Sequence, residues 1–207
     1  MRGLWLHARA RSVPASVVGL IALIVMAARS AAWLSSRLYF DGSNARPPVV
    51  TMAPLMAAML VVVTLAGADT ALERTAPRLT VGWRTAHAVL AVALVAGGVA
   101  MSVLPDPWVW GAAAAVRNAA GFCGLVLLAS VLLPARAAWA PAFGYGVVVY
   151  LAAPRGPIGA QQWWAWPMVP GQLASSGTSY AAAALLLATG VVAYAASGPR
   201  SVAPDMV

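Results

Sequence analysis

Apolar residues run in long blocks along this chain, and the polar residues gather between them. A helix needs roughly 20 apolar residues to cross the hydrocarbon core of a bilayer. Six stretches approach that requirement: 13–34, 48–67, 86–104, 109–133, 138–153 and 178–197. The alternation typical of a barrel is absent, and an isolated strand in lipid leaves its backbone groups unpaired, so every span is expected to be helical. The stretch 138–153 is short and carries Pro141, which points to a tilted, extended or partly re-entrant helix. The expected fold is an all-α integral membrane protein, a single transmembrane domain over 1–207. It is a bundle of six transmembrane helices with a short interfacial N-terminal segment and an outer re-entrant hairpin before the last span.

Composition supports the same class. The chain is 62% hydrophobic and 9% charged, against roughly 25% charged in a soluble domain. So few charges cannot cover a water-facing surface. The net charge of +8 is carried by arginines that sit between apolar blocks, not in one patch. Anionic lipid head groups suit that distribution better than nucleic acid does. The first residues resemble a secretory signal, with basic Met1–Arg11 ahead of apolar Val13–Ala28. The apolar run continues to Leu34 and further blocks follow, so an uncleaved first span is expected. Cys123 is the sole cysteine and lies inside a block, where it reads as a small buried hydrophobe.

Arginine bias sets the expected orientation. With the N-terminus inside, the cytoplasmic segments hold Arg2, Arg9, Arg11, Arg74, Arg78, Arg84, Arg136 and Arg200, against Arg37, Arg46 and Arg155 outside. Both termini are therefore expected in the cytoplasm of a multi-pass membrane protein. Trp5, Trp33, Trp83, Trp108, Trp110 and Trp139 fall at or near span ends, where an indole keeps its N–H wet.

Four segments are candidates for function. The N-terminal MRGLWLHARAR mixes apolar residues with arginines, so it either lies in the lipid interface or simply fixes topology. The loop ADTALERTAPRLTVGWRT follows the second span. Thr70 and Glu73 fit a capping box, and Pro77 ends or kinks the helix they would open. A short charged helix carrying Asp69, Glu73, Arg74 and Arg78 is the natural docking surface for a soluble partner. The third segment is the long loop before the last span, with Trp163, Trp164 and Trp166 beside Gln161 and Gln162. It reads as an aromatic hairpin in the outer interface. The fourth is a pair of intramembrane arginines in the outer half, Arg29 and Arg117, the latter next to Asn118. Charges at depth are costly and face a cavity or a partner, so these residues are candidates for a substrate path, although Arg29 could also snorkel to the interface.

Catalytic chemistry is not expected. Two histidines, His7 and His87, and five acids offer no metal-ligand spacing and no nucleophile–base arrangement. The chain has no lysine, which the Gly-x4-Gly-Lys-Ser/Thr phosphate loop requires. No cofactor is expected in this chain.

Six spans, both ends inside, an interfacial N-terminus and the Glu73–Arg74 pair after span two resemble the permease subunits of bacterial ABC exporters that move drugs, antibiotics, lipids or polysaccharides. The Gly-Thr doublet usual downstream of that pair is replaced by Ala76 and Pro77. The resemblance implies that the charged loop couples to a separate ATP-binding cassette ATPase, which would hold ATP and Mg. It also implies pairing with a second permease copy or a related permease, and short re-entrant helices before the last span. The rival expectation is a non-transporting membrane anchor, scaffold or immunity subunit of a larger complex. An Arg117→Leu substitution should alter export in the first case and be tolerated in the second.

Overall fold

The computed structural model describes residues 12–37, 48–65, 77–105, 107–153, 163–169 and 177–200, with the side chains of 77–80, 108, 109 and 163 left aside. Six helices run through them: α1 Val13–Ser35, α2 Pro48–Leu65, α3 Pro77–Ser102, α4 Ala112–Leu132, α5 Ala140–Ala152 and α6 Gly177–Ser197. A single helical turn, Pro107–Trp110, precedes α4. Tight 3-10 turns occupy Ala135–Ala137 and Trp163–Met168. Among the described residues there is no strand.

Five helices are long and apolar enough to cross a membrane: α1, α2, α3 from Val81 onward, α4 and α6. The chain is thus an all-helical, multi-pass membrane protein. The expected fifth span is different. Helix α5 has 13 residues, which at 1.5 Å per residue reach about 20 Å, short of the roughly 30 Å hydrocarbon core. Helix α3 also begins earlier than the third span expected from 86, because Pro77 suits the first turn of a helix, where a missing N–H costs nothing.

Helices α2 and α4 form the centre. Two thirds (67%) of each apolar window is buried, against 17% for α1 and 22% for α3. Close approach rests on glycine. A Cβ at Gly124 would collide with the backbone of Leu186, and one at Gly190 with the backbone of Gly124, so α4 and α6 touch main chain to main chain. Gly121 likewise leaves room for the Trp166 ring. That ring packs 5.3 Å from Phe122 and 6.0 Å from Tyr145.

The two ends of the bundle are distinct. At one end, Ala31, Leu34, Val49, Val103 and Trp110 pack together. At the other, Tyr194 donates to the Leu65 carbonyl at 3.3 Å. Helix α6 stops there at Gly198, whose φ of 70° turns the chain while its N–H returns to Tyr194 O at 2.8 Å. Arg200 then caps α4: its backbone N–H reaches Ser130 O at 2.8 Å and its Nη1 reaches Leu132 O at 2.7 Å. These are carbonyls that the last turn of a helix leaves without intrahelical donors, and the arginine also meets the negative end of the helix dipole. Val13 and Ser16, from the start of α1, lie beside Thr64, Trp83 and His87 at this same end. The first and last described residues, Ser12 and Arg200, therefore share one face.

Candidate functional site

Helix α2 opens irregularly, as a π-helical turn over Pro48–Met52. Pro54 follows and has no N–H to return to the carbonyl four residues earlier, so Val50 O lacks its α-helical donor. Asn118 on α4 supplies one, with Nδ2 at 2.8 Å from Val50 O. The same Nδ2 reaches Pro167 O at 2.7 Å, and Thr51 Oγ1 also donates to Pro167 O, at 3.3 Å. One amide thus ties the mouth of α2, the middle of the bundle and the 163–169 turn together.

Arg117 completes this junction. It lies about 8 Å from the start of α4 at 1.5 Å per residue and is 3% exposed. Its Nε and Nη2 donate to Asn118 Oδ1 at 3.1 and 3.0 Å. Nη2 also reaches Val169 O at 2.7 Å, and Nη1 reaches Ser179 Oγ at 2.8 Å. The guanidinium carbon stands 5.3 Å from the centre of the Tyr180 ring, a cation–π contact. Every partner it has among the described residues is neutral. Among the described residues, dipoles and a ring face hold the charge, which a buried cation requires in place of water.

Of the residues expected on a substrate path, Arg117, Asn118 and Trp166 come together, all buried. Trp164 is half-buried, and its carbonyl accepts the Tyr145 hydroxyl. Trp163 opens the same turn. Arg29 stands apart, exposed on α1. Arg117 is 3% exposed, so its substitution by leucine would take a donor from Val169 O, Ser179 Oγ and Asn118 Oδ1 in a transporter and in a scaffold alike. That substitution no longer separates the two readings. Asp69, Glu73 and Arg74 lie outside the described residues, and Arg78 is placed only by its backbone in the first turn of α3.

The open space lies elsewhere. A groove of about 250 Å³ runs between α1, α2 and α3. Leu20, Ala57, Leu60, Leu90 and Leu94 make its walls, and Ser16, Thr64 and His87 give it one polar end. Thr64 spends its hydroxyl proton on Val61 O at 2.8 Å, so at 3.0 Å it accepts from His87, which places a proton on Nε2. Trp83 stands at the same end, 55% exposed. The sequence gives His87 no metal-ligand spacing and no catalytic partner. Its pairing with Thr64 depends on α2 and α3 lying side by side, and no local pattern announces it.

No protein-family model matches the chain, and neither does any curated protein or solved structure.

Proposed function

We propose that this chain is the membrane-spanning permease subunit of an ATP-driven ABC exporter, and that it moves a hydrophobic or amphiphilic substrate. The observation that carries this reading is the position of the charged loop. Residues 66–76, with Asp69, Glu73 and Arg74, join α2 directly to α3, and these helices are two walls of the groove. Thr64 and His87 latch the two walls next to that loop. Helix α3 begins at Pro77, so Arg78 lies in its first turn, next to that loop in sequence. A partner pressing on the loop would move the groove walls against α1.

The shared face of Ser12 and Arg200 supports an even number of crossings, as the six expected from the sequence require. On arginine bias that face is cytoplasmic, in the bacterial plasma membrane. ATP and Mg would bind a separate ATP-binding cassette ATPase. A second permease copy, identical or related, would complete the pathway, with bilayer lipid around both.

The test is the pair Glu73→Ala with Arg74→Ala. The proposal expects normal insertion in the membrane, weakened association with the ATPase, and loss of coupled transport. Unchanged association and activity would count strongly against it. The rival reading, a non-transporting anchor or scaffold, draws on the sealed junction around Arg117. Leu90→Trp separates the two: filling the groove stops export by a transporter and leaves the assembly of a scaffold intact.

A further inference from the structure

A second depression, of about 530 Å³, lies at the Arg200 end between α2 and the turn that follows α4. Met56, Met59, Leu60 and Val63 form its apolar floor, and Arg136 and Trp139 form its rim. The rim is built. Trp139 donates from Nε1 to the Arg136 carbonyl at 2.8 Å, and its ring meets Phe143 edge-on at 5.8 Å. The Arg136 side chain is exposed and has no hydrogen-bond or ion-pair partner among the described residues. Its neighbour Arg200 is already engaged with the Leu132 carbonyl.

We infer that this depression is a binding site for one anionic phospholipid taken from the bilayer. The phosphate sits on the Arg136 guanidinium, whose planar fork matches two phosphate oxygens. The Trp139 indole lies at the level of the glycerol backbone, where tryptophan is favoured in membranes. One acyl chain runs along Met56, Met59 and Val63. Methionine is unbranched and adapts to an irregular partner. Charge complementarity selects the head group: the rim is cationic in a chain of net charge +8. The apolar floor selects the lipid over a free anion, because a soluble phosphate would use Arg136 and leave Met56 and Val63 uncovered, at 45% and 54% exposure. The inference does not depend on what the protein transports.

The test is native mass spectrometry of the full-length protein released from detergent. It is loaded in turn with phosphatidylglycerol and with phosphatidylcholine of the same acyl chains. Preferential retention of phosphatidylglycerol is expected. Arg136→Gln removes a charge-assisted contact and should lower that retention roughly tenfold. Met59→Trp fills the floor and should lower retention of the same lipid with the arginine intact. Arg37→Gln, a cation resting on Trp33 near the end of α1, serves as the control and should change nothing. Equal retention of both lipids by the native protein would overturn the inference, as would full retention by Arg136→Gln. Displacement of the lipid by millimolar inorganic phosphate would show that the anion alone is recognised, and would overturn it too.

Discussion

Asn118 joins three segments that are far apart in sequence, and its loss should be felt in all of them. Asn118→Leu takes the side-chain donor from Val50 O, leaves Pro167 O with only the longer bond from Thr51 Oγ1, and takes one acceptor from Arg117. Each buried group left unpaired costs about 1–3 kcal/mol. The protein carries its own reporter for this. Cys123 is the sole cysteine and is 0% exposed, so a thiol-reactive dye reacts as the bundle opens. Heating in detergent should show Asn118→Leu reacting at a clearly lower temperature than the native chain, with Ser35→Ala on the exposed end of α1 unchanged. A variant as stable as the native chain would mean that the junction is not what holds the 163–169 turn. The sequence made Arg117 and Asn118 visible, because a charge and an amide inside an apolar block demand partners. It did not show that the partners are backbone carbonyls around Pro54 and Pro167, since those become neighbours only when α2 and the turn fold against α4. The expectation that Arg117 faces a cavity or a partner left open which groups receive it, and the described acceptors come from the protein itself.

Helices were the most legible level, because crossing lipid requires long apolar blocks and those can be read directly. Five of them stand out as helices of spanning length. The segment around Pro141 is the exception, and its shortness was visible in advance. Where glycine matters was less legible. Gly97, Gly98, Gly121, Gly124, Gly144 and Gly146 all lie in or near apolar blocks, and nothing in the sequence tells them apart. Only the fold distinguishes Gly124, set against the backbone of Leu186, from Gly97 and Gly144, which face nothing within 4 Å. Gly124→Leu and Gly190→Leu should push α4 and α6 apart. Overpacking costs about 1–3 kcal/mol even where side chains can adjust, and here a backbone would have to move. Both should unfold at lower temperature in the same dye assay. Gly97→Ala has room, and in a helix it should be neutral or stabilising by about 0.5–1 kcal/mol. If all three behaved alike, the close α4–α6 contact would be wrong.

For the whole molecule, the geometry puts the start of α1 and the end of α6 on one face, alongside the end of α2. Reporter domains fused at each terminus should therefore report the same side of the membrane, the cytoplasmic side on arginine bias. Opposite sides would mean that the region from α5 to α6 does not cross. The functional account joins that layout to the charged loop and the groove. Its parts were unequally visible from sequence: the loop stood out as charge in an apolar chain, whereas the groove exists only where α1, α2 and α3 meet. The chain has no lysine, so under the proposed function the Gly-x4-Gly-Lys-Ser/Thr phosphate loop would belong to a partner. The most direct test is affinity purification of the tagged protein in mild detergent, with the co-purifying chains identified. The account predicts a stoichiometric ATPase that carries such a loop. Recovery of the protein alone, or only with other membrane proteins, would contradict it.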